Sequence, residues 1–264
     1  MKFVKAHCGG NDFILLDTRK YDLPDNFKEF IQQIIQRRTG IGADGVIVIE
    51  NLDNIEPGFQ ISDFRVRYFN PDGSEYGVCG DGSLCVLLYE GKNNLTFSTK
   101  VGIIKGYLEA GKAKVQVISP KELWLSIPLN VEDKIMEVNL VNIGVPHTVV
   151  PVEEVDSIDI NKLAPTIRFH PYFGKSGTNV NFMQIINRNN IATRTYERSI
   201  EGETFSCGSG SCACAIVGWL TGDLSSPINL KTKGGDFRIH INGIDEIWLE
   251  GMPKIIYEGD LHTS

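Results

Sequence analysis

Two stretches of this sequence lie over one another, and that repeat constrains the fold more than any other feature. Glu75-Tyr76-Gly77-Val78-Cys79-Gly80-Asp81-Gly82-Ser83 aligns with Glu203-Thr204-Phe205-Ser206-Cys207-Gly208-Ser209-Gly210-Ser211 at an offset of 207 − 79 = 128. At the same offset Tyr68 meets Tyr196, each at the end of an alternating run. Half of the 264-residue chain is 132, so the repeat points to two similar halves. Solenoid repeats have shorter periods, of about 20–50 residues. At roughly 150 residues per domain the length suits two domains, each able to bury a core. The boundary is expected near 115–125, around Ile118-Ser119-Pro120, giving halves 1–118 and 119–264 with the last strands able to cross back.

Local patterns fill in these halves. Phe13 to Leu16 and Val46 to Ile49 are continuous apolar runs of strand length. Arg65 to Phe69 alternates and ends at the turn signal Asn70-Pro71-Asp72-Gly73. Further strands are expected at 123–127, 138–141, 180–186, 192–196, 237–241 and 247–249. Phe27, Phe30, Ile31, Ile34 and Ile35 share one face at helical spacing. Arg37 and Arg38 suit the C-terminal end of that helix, and Thr39-Gly40 is its expected stop. Two more helices are expected directly after each Cys-Gly-x-Gly, at about 80–90 and 208–221. The fold class is α+β, rich in strands and poor in helices.

Composition narrows the partners. Lys and Arg number 26 against 33 Asp and Glu, a net charge of −7, and no basic run appears. Nucleic acid is thereby excluded as the main partner, since phosphate binding needs a concentrated basic face. No stretch approaches the roughly 20 apolar residues of a membrane span. Met1 to His7 lacks the apolar core of a signal peptide, so the expected compartment is the cytoplasm, where thiols stay reduced. Six cysteines then need an account without disulfides: Cys8, Cys79, Cys85, Cys207, Cys212 and Cys214. Burial as small hydrophobes suits any one of them. Their spacing lacks the Cys-x-x-Cys or Cys/His pattern of zinc sites, so no metal is expected.

Cys79 and Cys207 stand apart because each opens a helix. A cysteine there feels the positive end of the helix dipole and unpaired backbone N–H groups, which lower its pKa below about 8.5. The glycines that follow let an anion approach those N–H groups. Pseudo-twofold symmetry would bring both thiols to one interdomain cleft, on either side of a bound carboxylate. That arrangement suits proton removal from one face of a carbon and return to the other, racemisation or epimerisation at Cα. The N–H donors would stabilise the carbanion without a cofactor, and no glycine-rich dinucleotide or phosphate loop suggests one. A Cys/His hydrolase, with His147 activating one thiol, stays open but leaves the second motif unused.

At these residues the chain resembles the diaminopimelate epimerase family, over essentially its whole length. His7-Cys8-Gly9-Gly10-Asn11-Asp12-Phe13 is similar to the family's opening motif. Gly40-Ile41-Gly42-Ala43-Asp44-Gly45 and Phe69-Asn70-Pro71-Asp72-Gly73-Ser74-Glu75 follow before Cys79. Gly144-Val145-Pro146-His147, then Thr178 to Gln184, then Tyr196-Glu197-Arg198 precede Cys207 in the right order. The resemblance implies two pseudosymmetric domains, each a mainly antiparallel sheet around a central helix, with the substrate between them. It implies interconversion of LL- and meso-diaminopimelate, a small-molecule amino-acid substrate, no cofactor, and a homodimer. Carried over by position, Cys79 and Cys207 are the acid–base pair. Gly80, Asp81, Gly208 and Ser209 would offer N–H groups to the reacting carboxylate. His147 and Glu197 would sit beside the thiols. Asn11, Asn70, Asn179 and Arg198 would bind the remaining polar groups, Arg198 holding the distal carboxylate through its bidentate fork.

Each of these residues also has a plainer reading. Asn11, Asn70 and Asn179 could cap their own turns, His147 could be a hydrogen-bonded core histidine, and Glu197-Arg198 a surface ion pair. The chain departs from the family pattern at Asp81 (commonly Asn), Leu84 (often Arg), Val145 (often Asn) and Cys8 (Gly). A carboxylate at 81 would oppose an anionic substrate, so its side chain is expected to turn outward. These departures keep open a cofactor-independent racemase of another amino acid, such as glutamate. A non-catalytic metabolite-binding protein would need neither thiol.

Overall fold

The computed structural model describes residues 1–52, 62–198 and 200–261, and the chain divides into two units. Unit 1 is Met1–Val115 with Gly251–Ser264, and unit 2 is Gln116–Glu250.

In unit 1 the elements are β1 (Lys2–Cys8), β2 (Asn11–Asp17), α1 (Phe27–Ile34), β3 (Gly45–Glu50), β4 (Phe64–Phe69), β5 (Glu75–Tyr76), α2 (Gly80–Glu90), β6 (Asn94–Thr99), β7 (Gly102–Glu109) and β8 (Lys112–Gln116). A strand from far along the chain, Lys254–Asp260, pairs antiparallel with β1. The order across the sheet is that strand, then β1, β2, β3, β4, β6, β7 and β8. Two steps are parallel, β2 to β3 and β4 to β6, and each is bridged by a helix. Parallel neighbours require such a crossover, because a hairpin can only reverse the chain.

Unit 2 repeats the scheme with β9 (Glu122–Val131), β10 (Lys134–Asn142), β11 (Pro146–Pro151), α3 (Ile160–Arg168), β12 (Asn179–Asn187), β13 (Asn190–Glu197), β14 (Gly202–Thr204), α4 (Gly208–Leu220), β15 (Ile228–Lys231), β16 (Asp236–Gly243) and β17 (Glu246–Gly251). Its parallel steps are β11 to β12, crossed by α3, and β13 to β15, crossed by α4. All its other pairings are antiparallel. The fold is therefore α+β in two like repeats, with four α-helices among the described residues, one at each of the four parallel steps.

The central strands are buried on both faces, which explains the uninterrupted run Val46 to Ile49. Val46 and Val48 pack with Phe30, Ile31 and Ile34 of α1. The intervening Ile47 lies on the other face, against Gly82 of α2. In unit 2, Val180 and Phe182 pack with Ile160, Ala164 and Ile167 of α3, while Asn181 on the opposite face abuts Gly210 of α4. Helices α2 and α4 are buried nearly all round through their first two turns, as central helices must be.

The structure corrects two helix expectations. Helix α1 stops at Ile34, so Arg37 and Arg38 are not in its last turn. The following loop folds back onto it: Ile41 and Gly42 N–H groups both donate to the Ile34 carbonyl, at 2.8 and 3.0 Å. Gly40 permits that approach, since a Cβ there would strike the Gln33 and Ile34 carbonyls. Arg37 instead pairs with Asp12 and Asp44, at 2.8 and 2.6 Å. Helix α3 was not expected, because Pro165 inside it reads as a breaker. Among the described residues no helix is long and apolar enough to cross a membrane.

Candidate active site

Each unit carries the same device at the start of its central helix. Cys79 caps α2 with an extended backbone (φ −125°, ψ 123°), and its sulfur accepts the Gly82 N–H at 3.4 Å. Cys207 caps α4 (φ −146°, ψ 109°), and its sulfur accepts the Gly210 N–H at 3.4 Å. The thiol takes the place usually held by Ser, Asp or Asn at an N-cap. A thiolate there is a better acceptor than a thiol and lies at the positive end of the helix. Space is tight at Gly82 and absent at Gly210. A Cβ at Gly82 would lie 3.0 Å from Ile47 Cδ1 and 3.1 Å from Tyr68 Cε1, and one at Gly210 would collide with Asn181 Oδ1.

The remaining thiols are of another kind. Cys8, Cys85, Cys212 and Cys214 are buried in the cores of their units. Burial pushes Cys8, Cys85 and Cys214 well above the ordinary thiol range, so they stay protonated and inert.

In unit 1, Asn11 at the start of β2 donates from Nδ2 to Oδ2 of Asp81 at 3.2 Å. Asp81 is completely buried. The outward placement expected for it is therefore wrong: at the second position of α2 it faces β1 and β2 of its own unit, where the Asn11 amide receives it. Leu84, in place of a frequent Arg, is fully buried on α2. Asn70 is engaged in its own turn, its Nδ2 donating to Ser74 Oγ at 3.1 Å and its backbone carbonyl accepting from Gly73 N–H at 2.9 Å. Tyr68 Oη lies 2.7 Å from Ser83 Oγ and fixes the next turn of α2.

In unit 2 the polar groups are more tightly joined. His147 on β11 is fully buried, with Nε2 2.9 Å from Ser209 Oγ and Nδ1 3.2 Å from Asn181 Nδ2. Ser209 Oγ is 3.4 Å from Cys207 Sγ, so the imidazole reaches the sulfur through one hydroxyl. Burial, aided by the Arg198 charge, pushes His147 down to about 3, and the ring is neutral. Asn179 Oδ1 accepts the Arg198 backbone N–H at 3.0 Å across the β12–β13 pair. Burial and the nearby Arg168 hold Arg198 below its ordinary value. Glu197 accepts from Thr204 Oγ1 at 3.0 Å.

Unit 1 thus joins Asn11 and Asp81 at the head of α2 and leaves Asn70 in its turn. Unit 2 joins His147, Ser209 and Cys207, and ties Asn179 to the backbone beside Glu197. Asn181 was missed from sequence. Its signal was polarity at i and i+2 in a strand, Asn179 and Asn181, where alternation puts both on the face toward α4.

The model of the family described as diaminopimelate epimerase matches residues 3–119 and 139–256. The chain is 38% identical to the diaminopimelate epimerase of Aquifex aeolicus, over 99% of this chain and 98% of that one. It is 36% identical to that of Methanocella arvoryzae, over 100% and 98%. Solved structures with the same fold include a proline racemase, described as probable, of Agrobacterium radiobacter (TM-score 0.71, 15% identity, 100% of this chain and 93% of that one). Another is a phenazine biosynthesis protein of the PhzF family from Bacillus anthracis (TM-score 0.70, 14% identity, 100% and 99%). A family model that spans both repeats, and relatives matched end to end, place this chain in the diaminopimelate epimerase family.

Proposed function

We propose that this chain is an isomerase that interconverts LL- and meso-2,6-diaminopimelate in the formation of lysine and peptidoglycan precursors. The observation that carries the reading is the duplicated thiol cap, one cysteine in each repeat accepting an N–H of the central helix it opens. Family membership supplies the substrate.

In this reading Cys79 and Cys207 serve opposite faces of one Cα and exchange roles with reaction direction. The Cα–H bond breaks, its proton passes to the thiolate sulfur, and its electron pair spreads onto the α-carboxylate. The other thiol then gives its proton to Cα on the far face. Backbone N–H groups of Gly80, Asp81, Gly208 and Ser209 hold the carboxylate as its charge grows. His147 and Glu197 orient the reacting centre, Arg198 takes the distal carboxylate, and Asn11, Asn70 and Asn179 take the remaining polar groups. The reading assigns no cofactor or metal, and assumes a homodimer in the cytoplasm.

The test is incubation of the purified protein with LL-diaminopimelate in D2O. Deuterium should enter at Cα as the meso isomer appears. Exchange with L-glutamate but none with diaminopimelate would overturn the substrate, and normal turnover by Cys79→Ser or Cys207→Ser would overturn the two-thiol mechanism.

A further inference from the structure

The polar chain behind Cys207 has a direction, and a backbone carbonyl sets it. Asn181, fully buried on β12, places Nδ2 3.2 Å from the Thr148 carbonyl oxygen and 3.2 Å from His147 Nδ1. Its Oδ1 accepts from Thr195 Oγ1 at 3.1 Å. A carbonyl oxygen only accepts, so the end of Asn181 that faces Thr148 must be the NH2 group. That nitrogen also donates to His147 Nδ1, which must therefore be bare. The neutral imidazole then carries its one proton on Nε2 and donates it to Ser209 Oγ. A serine hydroxyl has a single proton. With its oxygen accepting from the imidazole, that proton is left to turn toward Cys207 Sγ. The sulfur then faces two donors, the Ser209 hydroxyl and the Gly210 N–H, and both favour the thiolate. In the opposite tautomer Nε2 would take the Ser209 proton, and the sulfur would lose a donor.

We propose that Asn181 is a positioning residue for Cys207: by holding the His147 proton on Nε2, it turns the Ser209 hydroxyl onto the sulfur and stabilises the thiolate. The role rests on the reading of Cys207 as one of the acid–base pair. Unit 1 is built differently at the matching places. Two residues after Cys79 stands Asp81 in place of a serine, and its carboxyl oxygen accepts from Asn11. Gly82 packs on Ile47 and Tyr68, where Gly210 packs on Asn181. The device behind Cys207 is thus built from residues that differ from those at the matching places in unit 1.

The test reads protonation, not turnover. In a Cys79→Ser background the ultraviolet thiolate band of Cys207 is titrated, with the Cys79→Ser/Cys207→Ser protein as blank. Histidine-labelled protein gives the His147 tautomer by 15N NMR, assigned by its loss in His147→Gln. Arg198, whose charge bears on His147, and Glu197, held by Thr204, are kept throughout. The expected tautomer has bare Nδ1 and protonated Nε2. Asn181→Leu and Ser209→Ala should each raise the thiolate midpoint by about one pH unit or more. Ser209→Thr, which keeps the hydroxyl, should leave the midpoint in place. The Asn181→Leu/Ser209→Ala double variant should shift no further than Ser209→Ala alone, because both act through one proton. A proton on Nδ1 in the wild-type ring, an unmoved midpoint in either single variant, or shifts that add would each overturn the proposal. If Asn181→Leu does not fold, the wild-type tautomer and the Ser209→Ala and Ser209→Thr pair still decide. None of these readouts requires substrate, so a failed epimerisation assay and a failed titration are separate results.

Discussion

Acid should destabilise unit 2 through one residue, and by an amount the structure allows to be worked out. His147 is fully buried, and burial pushes it from 6.5 down to about 3. In the unfolded chain the same imidazole takes up a proton near 6.5. Between about pH 3 and 6.5 the unfolded state therefore binds a proton that the folded state refuses. Stability rises with pH across that window and is lost as the pH falls through it. At about pH 5 the loss is roughly 1.36 × (6.5 − 5.0), or about 2 kcal/mol, and at about pH 7.5 it is close to zero. His147→Gln removes the titrating group and disturbs the partners at Ser209 and Asn181, costing about 1–3 kcal/mol at the higher pH. The wild type alone then loses about 2 kcal/mol on acidification, so the gap between the two proteins should narrow by that much. Urea unfolding followed by tryptophan fluorescence reads the right unit, because Trp124, Trp219 and Trp248 all lie in unit 2. Contributions from residues common to both proteins cancel in the difference. A gap unchanged to within about 0.5 kcal/mol would refute the neutral buried ring and the hydrogen-bond direction built on it.

Gly210→Ala should cost about 1–3 kcal/mol and impair turnover, since its Cβ collides with Asn181 Oδ1. Gly82→Ala should cost less, because its Cβ would come no closer than 3.0 Å to any neighbour; equal thermal shifts in the two variants would contradict this. Lys5→Met should lower stability by about 3 kcal/mol, since Lys5 is 4% exposed and pairs with Asp12 at 2.6 Å. A Lys5→Met protein that melts like the wild type would show that Arg37 alone satisfies Asp12. Asp81→Asn keeps an acceptor for Asn11 while replacing a completely buried carboxyl beside the N–H groups proposed to bind the substrate carboxylate. If that carboxyl is ionised, the variant's KM for diaminopimelate should fall several-fold with little change in kcat, and an unchanged KM would mean that the substrate feels no charge at position 81.

Much of this was legible in the sequence, and the gaps have physical causes. The starts of α2 and α4 were readable because Cys-Gly-x-Gly ends an extended segment and opens an apolar stretch in both copies. Strand β3 was readable because burial on both faces leaves no polar break. Strand β1 was not, because Lys5 interrupts it. That lysine is tolerated inside the unit through Asp12 and the Gly42 carbonyl, partners that a local pattern does not reveal. Helix α3 was hidden by Pro165. At the candidate site the residue types were visible, and their connections were not. Nothing local tells that Asp81 turns inward to Asn11, 70 residues away, or that His147 meets Ser209, 62 residues on. Such contacts depend on strand register, which is a property of the assembled sheet.

The pairing of β1 with Lys254–Asp260 bears on how the chain is made. Lys2 lies opposite Asp260, so β1 waits for a partner strand made 258 residues later. Unit 2 is contiguous and can close while still emerging, whereas unit 1 keeps an open hydrogen-bonding edge on β1 until Lys254–Asp260 has been made. Chains stalled at Glu250 should therefore be captured by chaperones or aggregate through that edge. Proteolysis of ribosome-bound chains checks the order: protection of unit 1 before residue 260 emerges would contradict it. The repeat that duplicates the thiol also divides the nascent chain into a half that matures early and a half that must wait.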